Sequence, residues 1–322
     1  MNNLIIPCAG GKTIGNLPLY LNRHPLGRIV LRRALDGLVL TCFDRIIVSI
    51  LEKDDKMYNA SEIIKKELYD IDNVEICFLQ EETAGAADTV YLTICKMNLL
   101  GHLAIKDVTN RIVVPELGSE NFIVGLNISN FKRDVHDLRN KSYISVNDQS
   151  QVLDIIEKQI KSEYIGVGLY GLQINDFIMA YWHLKDDCYS INRLYISHVV
   201  AYLIGYSEKI FHYIEAGDFE SWSDEKSWGE VQSKYALLFI DLDAIIAESA
   251  FEKEKFWSML KEMAADGAMI IGVTAKTEDE LCQNLGAHKD SSKFIFIYEC
   301  NCTMNKSYIA SYEELKYKYF LR

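Results

Sequence analysis

No stretch of this chain approaches the roughly 20 consecutive apolar residues of a membrane-spanning helix, and no membrane partner is expected from its hydrophobicity. Positive charge is also in short supply. Against 46 Asp and Glu stand 34 Lys and Arg, a formal charge of −12, a balance that repels nucleic-acid backbones and anionic membrane surfaces. The nearest thing to a basic cluster, Arg28 with Arg32 and Arg33, falls at helical spacing and reads as the wet side of a helix. The eight cysteines are scattered, with only Cys300 and Cys302 close together, and form neither a zinc spacing nor a disulfide framework. None of the seven histidines makes a metal spacing. The opening Met1-Asn2-Asn3 runs directly into Leu4-Ile5-Ile6-Pro7 and lacks the basic start and apolar length of a secretory signal. Reduced thiols and a cytoplasmic location are therefore expected.

What is present is the composition of a soluble globular protein, 49% hydrophobic and 25% charged over 322 residues, long enough for two buried cores. Leu4 to Pro7, Arg45 to Ile50 and Val74 to Leu79 read as strands. Between them Leu26, Ile29, Val30, Ala34 and Leu38 recur near a 3.6-residue period, and Ser61 to Leu68 gives a second helix. That alternation predicts a largely parallel sheet with flanking helices. A polar stretch, Lys132 to Ser150, precedes a β-rich region from Val152 to Leu172 and a helix from Tyr195 to Gly205. Near Tyr235 the pattern restarts, which places a domain boundary at about 232, with domains 1–232 and 233–322.

Two places can carry chemistry. Pro7-Cys8-Ala9-Gly10-Gly11-Lys12 follows the first strand as a glycine turn, where main-chain N–H groups can approach a phosphate closely. The run Ala236 to Ile240 ends in Asp241-Leu242-Asp243, and residues i and i+2 of a strand put both carboxylates on one side.

Five segments in order resemble the sugar-1-phosphate nucleotidyltransferases of the capsule-biosynthesis type. They are the glycine turn, then Gln80 with Thr83-Ala84-Gly85-Ala86-Ala87-Asp88, then Lys106-Asp107-Val108 with Asn110. Glu157-Lys158 comes fourth, and Tyr195 to Val200 with Trp222 to Trp228 closes the set. The resemblance implies a GT-A-like α/β domain with a mixed, mainly parallel sheet. It assigns Pro7, Ala9, Gly10, Gly11, Gln80, Gly85 and Ala86 to the nucleotide, and Glu157 with Lys158 to the sugar phosphate. A nucleoside triphosphate and a sugar phosphate are the implied ligands, Mg2+ the implied cofactor with Asp107 as a metal ligand, and Lys12 a catalytic cation. A homo-oligomer stays open.

The sequence departs from that family at its most charged positions. A basic residue after the turn falls at Ile14, and the lysine of a Pro-Lys-Pro-Leu segment falls at His24. The second aspartate of Lys-Asp-Cys-Asp-Asn falls at Thr109, and the aspartate of Asp-Trp-Gly-Thr at Ser221. Loss of two metal-holding carboxylates argues against ordinary nucleotidyl transfer. Two rescues are open: Lys12 can replace the missing arginine, and Asp218 or Asp224 can supply a shifted metal ligand.

The second site resembles haloacid-dehalogenase-type phosphohydrolases, which implies a small C-terminal HAD-like Rossmannoid domain. By that resemblance Asp241 is nucleophile and metal ligand, Asp243 acid and base, and Thr274, after Met269 to Val273, a phosphate-binding hydroxyl. Lys293 or Lys306 would be the lysine, though neither has a motif around it, and the pair can equally be a strand-end cap that binds nothing.

Overall fold

A computed structural model describes residues 1–25, 28–130, 138–187, 193–234, 237–241, 243, 254–258, 269–273 and 294–297. The chain divides into two compact units, Met1–Trp228 and Gly229–Arg322.

In the first unit β1 (Asn2–Pro7) leaves through the glycine turn into a small hairpin, β2 (Thr13–Ile14) and β3 (Leu17–Pro18). After α1 (Val30–Leu35) come β4 (Arg45–Leu51), α2 (Glu52–Tyr58), α3 (Ala60–Glu67) and β5 (Val74–Leu79). Next are α4 (Ala86–Met97), β6 (His102–Lys106), β7 (Asn110–Val113) and β8 (Phe122–Asn127). Then β9 (Ser142–Val146), β10 (Val152–Glu157) and β11 (Tyr164–Gln173) lead to α5 (Ile174–Asp187) and α6 (Ile196–Gly205). Last come β12 (His212–Glu215), β13 (Asp218–Ser221) and α7 (Glu225–Lys234), whose end passes into the second unit.

The main sheet is mixed. Its path runs β10-β9-β11-β6-β1-β4-β5, with β8 on β11 and β12 on β8. The run β6-β1-β4-β5 is parallel, and β11 pairs antiparallel with β6, β8 and β9. Leu4, Ile5 and Ile6 of β1 are all fully buried, as a parallel strand covered on both faces requires. One core cluster gathers Ile5, Ile47 and Leu103 from the sheet with Val90, Phe177 and Val199 from α4, α5 and α6.

Two sequence expectations differ from the structure. The periodic run from Leu26 to Leu38 yields only the six-residue α1, because Ile29 is extended before it and Asp36 is extended after it. Its first expected residue, Leu26, lies outside the described residues. The polar stretch Lys132 to Ser150 contains β9, whose Tyr143 and Ile144 are buried.

In the second unit β14 (Leu237–Asp241), β15 (Met269–Val273) and β16 (Phe294–Ile297) form a parallel three-stranded sheet in that order. Asp241 ends β14 opposite Val273. Residues 254–258 are helical, while Thr274, Lys293 and Lys306 lie outside the described residues. Among the described residues no helix is long and apolar enough to cross a membrane, and Cys8, Cys42, Cys77 and Cys95 are free thiols.

Candidate functional site

The C-terminal ends of β1, β6 and β10 and the start of α4 open onto one cleft of about 470 Å³. Crevices at strand ends of an open parallel sheet are where such folds bind ligands. At its floor the turn after β1 is pinned twice: the Cys8 N–H donates to Ser49 O at 2.8 Å, and the Thr83 N–H to Ala9 O at 3.3 Å. Thr83 Oγ1 lies 2.6 Å from Thr89 Oγ1, which ties the turn to α4. Pro7, Gly10 and Lys12 line the cleft, whereas Ala9 is fully buried behind the turn and Gly11 sits against the Glu82 side chain. Burial pushes the Cys8 thiol far above its ordinary value, which disfavours the thiolate that a nucleophile needs.

Gly85 and Ala86 line the opposite wall at the start of α4. A Cβ on Gly85 would stand 2.5 Å from Leu194 O, so glycine lets the 193–194 segment close against the helix start.

Asp107 enters from the end of β6, where its N–H donates to Gly168 O at 2.7 Å. Gly168 has φ +75°, and a Cβ there would lie 2.6 Å from the Asp107 Cβ. Beneath it Lys106 is wholly buried, its ammonium donating to Asp107 O, to Asn110 O at 2.8 Å and to Asn110 Oδ1 at 2.9 Å. Burial lowers the Lys106 pKa to about 7, against the pull of Asp107. Burial likewise raises the Asp107 carboxyl, opposed by Lys106, Lys12 and Lys141.

Glu157 and Lys158 stand at the end of β10. Glu157 Oε2 accepts the hydroxyls of Ser142, at 2.5 Å, and Ser197, at 2.6 Å, joining β9, β10 and α6. The Lys158 ammonium donates to the Tyr195 hydroxyl at 2.6 Å, and the Arg193 guanidinium lies 5.3 Å from the same ring.

Pro7, Gly10, Lys12, Gly85, Ala86, Asp107, Glu157 and Lys158 thus share one cleft. Gln80 is elsewhere: it is exposed and lines a neighbouring depression of about 820 Å³ with Tyr91, Tyr181 and the Asp88–Lys185 ion pair. Asp241 and Asp243 belong to the second unit, where Asp243 is half-buried, and Thr274 is not among the described residues. Lys141 and Arg193 line the cleft without having been marked by any sequence motif. Lys141 lay within a stretch read only as polar, and Arg193 between two motifs.

Two of the departures from the expected charge pattern, Thr109 and Ser221, come together in space. Ser221 pairs with Asn110 across the β13–β7 ladder, and the Trp222 N–H donates to Thr109 O at 3.0 Å. His24 is drawn away from the cleft into the core, 5.7 Å from the Trp222 ring and with Nε2 3.3 Å from Glu220 Oε2. Ile14 is buried in β2. Asp218, one candidate for a shifted metal ligand, is ion-paired with Arg111. Asp224, the other, caps α7: its Oδ1 accepts the Ser227 N–H at 2.7 Å, and its own N–H donates to Ser227 Oγ at 3.0 Å. Although burial works against its charge, those Ser227 bonds together with Lys226 and Lys12 hold the Asp224 carboxyl below the usual range. The Lys12 ammonium donates to Ser223 O at this same helix start.

Magnesium asks for near-octahedral oxygen ligands, carboxylates first. The two positions that the resemblance gives to metal-holding carboxylates are here the hydroxyl residues Thr109 and Ser221. Glu157 is taken by two serines and Asp224 by a helix end, with an ammonium beside it. The donor set around Asp107 does not fit that ion. Among the described residues no group of three or more His, Cys, Asp or Glu is placed to hold a metal.

No protein-family model matches the sequence, and no curated protein does. Solved structures do. The nucleoside-diphosphate-sugar pyrophosphorylase from Vibrio cholerae RC9 aligns over 72% of this chain and 100% of its own, with TM-score 0.58 and 16% identity. The inositol-1-phosphate CTP transferase from T. maritima aligns over 72% and 96%, with TM-score 0.53 and 12% identity. A UDP-glucose pyrophosphorylase complexed with UDP-glucose aligns over 72% and 97%, with TM-score 0.54 and 10% identity. Over 72% of its length the chain shares the α/β fold of these three solved structures.

Proposed function

We propose that the first unit is a divergent sugar-phosphate nucleotidyltransferase-like protein of capsule or other surface-polysaccharide biosynthesis. It binds a nucleotide or sugar phosphate in the cleft and has lost ordinary nucleotidyl transfer. One observation carries this reading. The segments around Gly10, Gly85 and Lys158 meet in a single cleft lined by four cations, Lys12, Lys141, Lys158 and Arg193, against three carboxylates, on a chain whose net charge is −12. Such a local reversal of sign suits a phosphorylated ligand. The solved neighbours, two named as pyrophosphorylases of nucleotide sugars and one as a CTP transferase, with UDP-glucose held in one of them, support the ligand class.

Calorimetric titration with CTP, UTP and hexose 1-phosphates, beside an assay of pyrophosphate release, tests it. Binding without release is expected. Release at enzymatic rates would restore the alternative of an active nucleotidyltransferase with shifted catalytic residues, and no binding by any of these ligands would overturn the reading.

For the second unit, the parallel sheet with Asp241 at the C-terminal end of β14 supports a HAD-like phosphate site. In that reading Asp241 and Asp243, with Thr274, would hold a phosphate and Mg2+. Phosphate release from p-nitrophenyl phosphate that Asp241→Asn abolishes is the expected sign, and activity unchanged by that substitution would remove the reading.

A further inference from the structure

The strongest unexplained feature of the cleft is the ammonium of Lys12. It sits on a glycine turn held by the Leu19 N–H, which donates to Lys12 O at 2.9 Å, and it reaches across to donate to Ser223 O at the start of α7. Asp107, at the end of β6, and Asp224, at the helix cap, line the same cleft; burial works against the charge of Lys12, and these two carboxylates favour it. Lys141 and Arg193 are the other cations close enough to act on it, and they oppose it.

A cation that belongs to the chain thus stands at the helix start, in one cleft with the two carboxylates. Where carboxylates would complete a magnesium shell stand the hydroxyls of Thr109 and Ser221. An ammonium is a compact point charge with three donors. It can offset the charge of Asp107 and Asp224 and donate a hydrogen bond to a phosphate oxygen, with no ion to recruit.

We propose that the Lys12 ammonium stands in for a divalent ion. The cleft then takes the phosphates of a nucleotide directly on Lys12, Lys141 and Arg193, in the absence of magnesium. This rests on the nucleotide-binding reading above, but it concerns the form of nucleotide that enters: the metal-free polyanion in place of its magnesium complex. Magnesium withdraws charge from a triphosphate, so excess magnesium competes with the lysines and weakens binding.

The test is titration of the full-length protein with CTP and with UTP, in EDTA and in excess MgCl2, for wild type, Lys12→Met and Lys12→Arg. Expected are binding in EDTA as tight as in MgCl2 or tighter, a roughly tenfold loss in Lys12→Met from one charge-assisted hydrogen bond, and recovery in Lys12→Arg. Thermal melts without ligand confirm that each variant folds. Binding seen only with MgCl2 would overturn the inference and leave the nucleotide reading standing. Binding in EDTA that Lys12→Met leaves unchanged would also overturn it, because the cation would then lie elsewhere. No binding of either nucleotide under either condition would overturn the inference and the nucleotide reading together.

Discussion

Lys158 holds its ammonium 4.5 Å from the centre of the Tyr195 ring while donating to that residue's hydroxyl. The lysine is exposed and its backbone is left-handed, φ +58°, so the tyrosine is what aims a long and otherwise loose side chain into the cleft. Lys158→Met is expected to weaken a phosphorylated ligand about tenfold, one charge-assisted hydrogen bond at a partly wet site. Tyr195→Phe keeps the ring and removes the bond, so a loss of roughly threefold is expected. Titration with the tightest ligand measures both, and a larger effect at Tyr195 than at Lys158 would show that the tyrosine contacts the ligand itself.

Glu157 offers a separate test, of structure more than of binding. Its Oε2 collects two hydroxyl donors from residues that are 8% and 2% exposed, Ser142 and Ser197. Glu157→Ala strands both, and a stability loss of about 1 to 3 kcal/mol is expected by urea unfolding. Glu157→Gln keeps an acceptor oxygen and should recover most of it. Equal losses in the two variants would mean that the charge, and not the acceptor, holds β9, β10 and α6 together.

How much of this was legible in the sequence follows from the range of the forces involved. The strands β1, β4, β5, β14 and β15 sit where the sequence placed them, and in β1 and β4 burial on both faces writes itself into consecutive residues. The strand β9 did not show, since only three of its five residues are buried and Lys141 and Asn147 flank it. The convergence of Gly10, Gly85 and Lys158 was readable only through motif order. Nothing local marks Lys141 or Arg193, whose place in the cleft is set by tertiary closure. His24 shows the opposite limit: the motif marked it only as a missing lysine, and pairing with Glu220 and packing on Trp222 and Trp228 put it in the core.

Gly85 should be intolerant of any side chain. Its backbone is extended, so the conflict is one of space and not of conformation: the added Cβ meets Leu194 O at 2.5 Å, and a carbonyl in a packed loop cannot yield as a side-chain tip can. Gly85→Ala is expected to cost about 1 to 3 kcal/mol, the range for overpacking, and to displace Arg193, whose Cγ is 3.2 Å from the same point. Urea unfolding reads the first effect, and loss of ligand affinity the second. A fully stable Gly85→Ala that binds as wild type would contradict the contact.

Lys106 gives the protein a pH dependence that can be worked out in sign. Burial lowers its pKa from 10.5 to about 7 in the folded state. Below pH 7 both folded and unfolded chains carry the proton, and folding bears the whole cost of burying that charge. Between pH 7 and 10.5 the unfolded chain keeps a proton that the folded chain has shed, so the cost is relieved and stability rises with pH. Above about pH 9 a contrary effect begins, because burial raises the Cys8 thiol and the Tyr20 hydroxyl and makes the folded state hold protons that the unfolded state loses. The clean window is therefore pH 7 to 9, and the comparison is with Lys106→Met. That variant starts less stable, since Asn110 O and Oδ1 lose their donor, but it lacks the titrating group. Urea midpoints at pH 7, 8 and 9 should show wild type gaining about 1 to 2.5 kcal/mol relative to the variant, at roughly 1.4 kcal/mol per unit at most. Parallel curves would mean that Lys106 keeps its proton throughout, paired with Asp107, and that the cleft floor carries a full positive charge when a phosphate arrives.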